Sequence, residues 1–221
     1  MTKRDEALAL VRELGVARPR DLERRGIPHA YLQRLTAQGL LERSARGLYR
    51  LADSDVTEFH SLAEVSKRVP QGIVCLLSAL RFHNLTTQAP FEVWLALPTQ
   101  ARRPQTTELP IHVVHFSGDA LTAGVEEHTI EGVPVRVYNP AKTVADCFKY
   151  RNKIGLDVAL EALRETWRER RATMDDLWRY GRVCRVANVM RPYLESLETL
   201  SLPIAFLGSN RASSPLYMIA C

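Results

Sequence analysis

Long apolar runs and clustered cysteines are both missing from this sequence. No stretch of 18 or more apolar residues occurs, so no membrane-spanning helix is predicted. The opening segment, MTKRDEALALVREL, mixes charges into its apolar pattern and does not resemble a signal peptide. The cysteines are scattered, without a CxxC pair: Cys75, Cys147, Cys184 and Cys221. We therefore expect neither structural zinc nor a disulfide framework, but a reduced, cytoplasmic protein with ordinary core thiols.

The short motifs of common catalytic and nucleotide-binding sites are missing too. The sequence contains no GxxxxGK[ST], GxGxxG or HExxH, and no ExK triplet of the kind a PD-(D/E)xK nuclease needs. His112 and His115 stand three positions apart on a predicted strand, so their side chains point to opposite faces and cannot hold one metal ion together. We predict no catalytic residue, no metal site and no cofactor.

What the sequence does have is a localised positive charge. The net charge is +5, and the first 50 residues hold 11 basic against 6 acidic side chains, whereas the remainder holds 19 of each sign. A local basic excess favours contact with a phosphate backbone. A solvated basic surface without a partner would give the same count, so charge alone leaves both readings open.

The same N-terminal block predicts three short helices followed by a hairpin. Apolar residues recur at helical spacing in KRDEALALVREL (3–14), a second helix starts at the proline of ARPRDLERRG (17–26), and PHAYLQRLTAQ (28–38) forms a third. LLERSARGLYRL (40–51) then predicts two strands around a basic tip, RSARG. This order is typical of a winged helix-turn-helix domain, which we assign to residues 1–52. The third helix would enter the major groove and the hairpin would be the wing.

Candidate DNA contacts follow from the faces of these elements. Leu32 and Leu35 fix the inner face of the third helix, so Gln33 and Arg34 face outward. Glutamine and arginine pair with adenine and guanine edges, and arginines beside the helix or wing suit phosphates. The predicted DNA-binding residues are Arg18, Arg20, His29, Tyr31, Gln33, Arg34, Arg43, Ser44 and Arg46. Outward polar residues are often merely solvated, and some winged helices bind protein instead.

The rest of the chain predicts a larger α+β domain, residues 58–198, with a small mixed sheet of about four strands and several helices. The predicted helices are 58–69, 73–85, 140–153, 155–170, 174–184 and 186–198, and the predicted strands are 91–98, 111–116 and a hairpin over 125–139. A short linker, 52–57, separates the two domains. The tail, 199–221, has no clear period and no functional interpretation.

One polar group within this domain stands out. Asp146 is predicted at a crowded edge of its helix, within reach of Lys142 and of Lys149 or Tyr150. A polar clamp that holds the helix to the sheet is favoured over an active site. The neighbouring Cys147 is predicted to be a buried core thiol.

Two segments resemble a known family. GVARPRDLERRGIPHAYLQRLTAQGLLERSARGLYRL (15–51) and YNPAKTVADCFKYRNKIGLDVALEALRE (138–165) look like the AbiEi-type antitoxins of bacterial type IV toxin–antitoxin, or abortive infection, systems. The resemblance covers about residues 3–198. It implies a winged helix that binds inverted repeats in its own promoter and represses it. It also implies a C-terminal domain that counters a nucleotidyltransferase-like toxin, without requiring a stable complex.

The implied partners are therefore double-stranded DNA and that toxin, and no membrane. The family's DNA-binding positions match Gln33, Arg34, Arg43 and Arg46 in this sequence. Two alternatives remain at this stage: a stand-alone winged-helix transcriptional regulator, or a nucleic-acid-acting enzyme with a winged-helix delivery domain.

Overall fold

The computed structural model describes residues 2–104 and 110–201, and within them it confirms the predicted α+β class. The helices are α1 (Lys3–Leu14), α2 (Pro19–Glu23), α3 (Ala30–Ala37), α4 (His60–Arg68), α5 (Leu76–Phe82), α6 (Asp119–Thr122), α7 (Pro140–Lys149), α8 (Arg151–Ile154), α9 (Leu156–Arg168), α10 (Met174–Val183) and α11 (Ala187–Ser201). The strands are β1 (Leu41–Ala45), β2 (Leu48–Leu51), β3 (Ile73–Val74), β4 (Val93–Pro98), β5 (Ile111–Phe116), β6 (Val125–Ile130) and β7 (Val133–Tyr138). None of the described helices is both long enough and apolar enough to cross a lipid bilayer.

The first 51 residues have the element order of a winged helix. α1, α2 and α3 enclose an apolar cluster that includes Leu22, Leu32 and Leu35. The strands β1 and β2 pair antiparallel as the wing. Ala17, between α1 and α2, exchanges two backbone hydrogen bonds with Tyr49 of β2, at 2.8 and 2.9 Å, and so ties the turn before α2 to the wing.

A mixed sheet of five strands forms the centre of the rest of the chain, in the order β5-β4-β3-β7-β6. β4 pairs parallel with β5 and β3 parallel with β7, while the β3–β4 and β6–β7 pairs are antiparallel. Successive side chains of a strand face opposite sides. In β4, Leu95 and Leu97 therefore enter one core, whereas Trp94 and Ala96 face another, formed with α5, α7, α9, α10 and α11.

The winged helix contributes to the first of these cores. Val16, Ala45 and Leu48 are buried in the same apolar cluster as Leu62 of α4 and Leu95 of the sheet. The inner side of the wing thus packs against the second domain, and the predicted linker does not hold the two parts at a distance. Burial of apolar area stabilises this junction by about 25 cal/mol per Å².

Three predicted boundaries are wrong. The predicted helix over 73–85 is a strand followed by a helix, because Ile73 and Val74 pair on both sides with β4 and β7 and supply the fifth strand. The helix over 140–153 is divided at Tyr150 into α7 and α8. The start of the predicted tail continues α11 to Ser201; the rest of the tail and part of the loop before β5, residues 105–109, lie outside the described residues.

Candidate nucleic-acid interface

The third helix, α3, presents polar side chains over an apolar inner face. Leu32 and Leu35 are buried, whereas Gln33 and Arg34 are exposed. Tyr31 is half-buried, and the Arg34 guanidinium carbon lies 5.3 Å from the centre of its ring. A cation over an aromatic face gains roughly 0.5–1 kcal/mol at an exposed site. Arg34 is therefore oriented before any ligand arrives.

His29 immediately precedes this helix and is exposed. Its backbone is already helical, and within the described structure its imidazole does not cap the helix. His29 and Gln33 are four positions apart, so they share one face of the helix. His29 and Gln33 thus follow one exposed face, and the Arg34 guanidinium lies on the adjoining side of the helix.

The wing is narrower at its tip than the sequence suggests. β1 extends to Ala45, so the turn consists of Arg46 and Gly47, and Arg43 lies within the strand opposite Tyr49. Gly47 has φ +75°, a conformation that suits glycine. Arg43 and Arg46 are both exposed.

Ser44 is not placed as a DNA contact requires. The pairs Arg43–Tyr49 and Ala45–Leu48 leave Ser44 as the extra residue of a β-bulge. Its hydroxyl is buried and has no hydrogen-bond partner among the described residues. The side-chain hydroxyl is therefore not exposed at the bulge, although the polar sequence of the tip predicts that it would be.

Arg18 also departs from the predicted role. Its side chain is only 15% exposed and forms two hydrogen bonds to the Asp21 carboxylate, from Nε at 3.2 Å and Nη2 at 3.1 Å. A third donor, Nη1, bonds the carbonyl oxygen of Lys67 in α4 at 2.7 Å. Arg18 therefore holds the winged helix to the second domain, and we do not retain it as a phosphate ligand. Arg20, two residues further, is exposed as expected.

The Asp21 carboxylate is shared by two cations. Lys67 Nζ lies 3.4 Å from Asp21 Oδ2, the oxygen that also accepts a hydrogen bond from Arg18 Nε. Burial alone would raise the pKa of Asp21, but the hydrogen bonds from Arg18 and the charges of Lys67 and Arg18 outweigh it and lower that pKa to about 2. Burial lowers the pKa of the Lys67 amine, against the attraction of Asp21. We call Arg18, Asp21 and Lys67 the junction cluster.

The sequence-based set misses Lys67 and Arg68, the last two residues of α4. Arg68 is exposed, and its Nη1 donates to the carbonyl oxygen of Arg46 at the wing tip, at 3.3 Å. The signal for both residues is the basic pair in VSKRVP, but a charge count over the first 50 residues stops short of it. Only the folded chain brings Arg68 to the wing tip and Lys67 to Asp21 of α2.

A second contact between the two domains is made by backbone. Gly15, at φ +62°, lies so close to the carbonyl of Glu131 that a Cβ atom there would be 1.3 Å from the oxygen. The Glu131 carboxylate accepts hydrogen bonds from the Thr57 amide at 2.8 Å and hydroxyl at 2.9 Å, and contacts His60 Nδ1 at 2.6 Å. The β6–β7 turn therefore fixes both the end of α1 and the start of α4.

Asp146 bonds Lys142 on its own helix and Cys184 at the end of α10, so it joins two helices rather than clamping its helix directly to the sheet as predicted. Lys142 Nζ lies 2.6 Å from Asp146 Oδ2, both side chains are 0% exposed, and Cys184 Sγ donates to Asp146 Oδ1 at 3.2 Å. The Lys142 amine also lies 4.0 Å from the centre of the Tyr138 ring. Complete burial raises the pKa of Asp146, although Lys142 opposes this. Because both side chains are fully buried, the geometry suits support of the core rather than catalysis.

The remaining candidates for chemistry are held in ordinary structural contacts. Cys147 is buried as predicted, and burial raises the pKa of its thiol well above the usual range. The His112 ring stacks on Trp94 with centroids 3.8 Å apart, and His115 Nε2 contacts the carbonyl oxygen of Ala101 at 3.2 Å. Among the described residues, no group of three or more His, Cys, Asp or Glu side chains is arranged to hold a metal ion.

Known proteins resemble this chain in two ways. The solved structure of the RV2827C protein from Mycobacterium tuberculosis superimposes with a TM-score of 0.56, at 16% identity, over 81% of this chain and 71% of that one. At this identity the likeness concerns the fold alone. No curated protein matches the chain significantly. Residues 5–52 match the sequence model of the family described as "Transcriptional regulator, AbiEi antitoxin". The winged-helix segment thus carries the sequence pattern of the AbiEi antitoxin transcriptional regulators, which confirms the predicted resemblance for the first of its two segments.

Proposed function

We propose that the chain is a DNA-binding antitoxin that represses its own toxin–antitoxin promoter through the winged helix. The observation that carries this proposal is the exposed face of α3 on a segment, residues 5–52, that matches a family of transcriptional regulators. Gln33 and Arg34 would read base edges, which glutamine and arginine do through paired hydrogen bonds in the major groove. His29 and Tyr31 would lie beside them at the groove.

The wing and α2 would supply sequence-independent contacts. Arg43, Arg46 and Arg20 are exposed cations on elements next to α3. Contacts to phosphate set the register of a protein on the duplex without reading its sequence. An inverted repeat requires two copies of the winged helix, from a dimer or from two monomers bound side by side.

We further propose residues 1–52 as the DNA-binding domain and residues 58–198, together with the end of α11 to Ser201, as the antitoxin domain. The apolar cluster enclosed by α1–α3 supports this division, and the shared cluster under the wing joins the two domains. The antitoxin domain would counter a nucleotidyltransferase-like toxin, a role that rests on the resemblance. Growth rescue on co-expression with a toxin of that class, where the neighbouring gene encodes one, tests this part.

Gel-shift titration with the duplex upstream of the chain's own reading frame tests the DNA-binding part. We expect sub-micromolar binding at low salt, with log K falling by about 0.9 per phosphate contact for each unit of log salt concentration. Absence of a shift at micromolar protein and low salt would contradict the proposal.

Variants separate the two kinds of contact in the same titration. Arg43→Ala with Arg46→Ala should weaken binding equally on promoter and scrambled duplexes. Gln33→Ala or Arg34→Ala should change the preference between them, by roughly 1–3 kcal/mol at the affected base pair. Arg191→Ala, at an exposed position on α11, serves as the charge-matched control and should leave both affinities unchanged.

A further inference from the structure

A basic groove lies between α2 and the wing and reaches the second domain. Its lining residues are Arg18, Pro19, Arg20, Glu23, Gly47 and Arg68. Arg20 and Arg68 are exposed, whereas the Arg18 side chain is mostly buried and paired with Asp21 in the junction cluster. Three successive parts of the fold therefore meet here: the second helix, the wing tip and the end of α4.

The charge around this groove is not balanced. The junction cluster holds two cations on a single carboxylate, with the side chains of Asp21 and Lys67 each only 10% exposed. Arg20 and Arg68 add two more cations at the surface, and Glu23 is the one carboxylate among the lining residues. Cations grouped in a partly buried cleft produce a stronger positive potential than the same charges spread over a surface. The groove thus suits a single anionic group.

Arg68 is oriented toward this groove by its bond to the wing. One of its donors bonds the carbonyl oxygen of Arg46 at 3.3 Å. A guanidinium has five N–H donors in a planar fork, so this bond leaves others to meet an anion. A DNA phosphate that contacts the wing tip would lie beside Arg68 as well.

We propose that the groove binds a backbone phosphate of DNA, with Arg68 as a ligand supplied by the second domain. This inference rests on the proposed DNA binding and extends its surface beyond the winged helix. The junction cluster positions the site: Arg18 and Lys67 hold the end of α4 against α2, which fixes the distance between Arg20 and Arg68. The second domain then takes part in DNA binding directly.

The salt dependence of binding tests this inference in the full-length chain. Fluorescence anisotropy with the upstream duplex and with a scrambled duplex of equal length gives the slope of log K against log salt concentration. Arg68→Ala should reduce its magnitude by about 0.9 on both duplexes, so that the affinity lost between 50 and 200 mM salt becomes roughly threefold smaller. Arg164→Ala, exposed on α9, is the matched control and should not change the slope.

Arg68 also braces the wing tip, so a second variant separates the two roles. Arg68→Gln keeps a donor for the Arg46 carbonyl but removes the charge, and it should lower the slope as Arg68→Ala does. Arg68→Lys should retain it. A wild-type slope in Arg68→Gln, with a reduced one in Arg68→Ala, would overturn the inference and make Arg68 a brace only.

Three further results would also overturn it. In one, inorganic phosphate at constant ionic strength competes with the duplex, and Arg68→Gln abolishes this competition without changing the slope on DNA. That result would assign the groove to a free anion. Unchanged slopes in all Arg68 variants of a protein that binds the duplex would refute this site and leave the proposed function intact. Failure of the wild-type protein to bind any duplex would refute both.

Discussion

Two aspartates of this chain are each paired with a lysine, yet their surroundings differ. Asp21, at the junction of the two domains, lies 3.4 Å from Lys67, and both side chains are 10% exposed. Asp146, in the core beside the sheet, lies 2.6 Å from Lys142, and both are fully buried. The Asp146–Lys142 distance is the shorter one, but the ionised form of the carboxyl group is more strongly favoured at Asp21.

The pKa values of the two carboxyl groups move in opposite directions. At Asp21, the bonds from Arg18 and the charge of Lys67 overcome burial and lower the pKa to about 2. At Asp146, burial dominates and raises the pKa despite the adjacent Lys142. The difference lies first in burial, which is complete at Asp146, and then in the donors: two cations serve Asp21, whereas one lysine and the Cys184 thiol serve Asp146.

The contrast distinguishes the Asp146–Lys142 pair, whose charges balance, from the junction cluster, in which one positive charge is not balanced. The core pair is neutral as a whole and makes its contacts within the protein. The junction cluster keeps an excess cation next to an exposed basic groove. A count of ion pairs would treat the two alike, but only the second lies beside the proposed phosphate site.

Removal of one partner of the core pair is expected to have the largest effect. Asp146→Ala leaves the Lys142 amine buried without a counter-charge, and we expect a loss of about 4 kcal/mol in the free energy of unfolding. Urea denaturation followed by circular dichroism measures it. Asp146→Leu combined with Lys142→Met removes both charges and should recover most of that loss. A cost below about 1 kcal/mol for Asp146→Ala would mean that the pair is not desolvated.

A substitution at Gly15 tests the junction between the two domains while it leaves the Asp21 and Asp146 carboxylates intact. Gly15→Ala would place a methyl group against the Glu131 carbonyl at a positive φ, and we expect a cost of about 3 kcal/mol in the same assay. Gly26→Ala is the matched control, since Gly26 has φ +69° but no atom within 4 Å of a Cβ. It should cost about 1 kcal/mol. Equal losses would show that the Gly15–Glu131 contact adds nothing beyond the strained φ.

The junction carboxylate should give the smallest loss and a clear pH dependence. Asp21→Asn leaves Arg18 and Lys67 facing each other, and we expect a cost of about 2 kcal/mol at neutral pH. Because the folded pKa of Asp21 is about 2, below its ordinary value of 3.8, its contribution is complete above pH 4 and is lost as the pH falls toward 2. The stability difference between wild type and variant should therefore shrink over that interval and vanish below pH 2. A difference as large at pH 2 as at neutral pH would exclude ionisation of Asp21 as its source.

Local patterns predict much of this fold. The three helices before the wing, the hairpin over 125–139 and the helical faces of Leu32 and Leu35 follow from apolar spacing and from glycine and proline positions. The strand at Ile73 could not be predicted, because a two-residue apolar strand that runs directly into a helix has no period of its own. Its conformation is set by pairing with β4 and β7, which are distant in sequence.

Residues of the candidate site could be predicted only where a single helix or strand determines which way their side chains face. Gln33 and Arg34 face outward because of the residues next to them in α3. The contacts of Arg18 and Arg68 depend on how the two domains pack. A sequence does not distinguish an arginine that is buried in an ion pair from one that is exposed. Ser44 depends on a bulge, a single extra residue that the alternation of a strand does not reveal.

The apolar cluster beneath the wing limits how this domain can be reused. Val16, Ala45 and Leu48 are covered by side chains of α4 and the sheet, so residues 1–52 do not present a complete polar surface by themselves. A fusion that grafts this winged helix onto another protein would have to supply a substitute for that cover. The proposed DNA recognition is in that sense a property of the whole fold, and we expect that operator specificity would not be transferred with the helix-turn-helix segment alone.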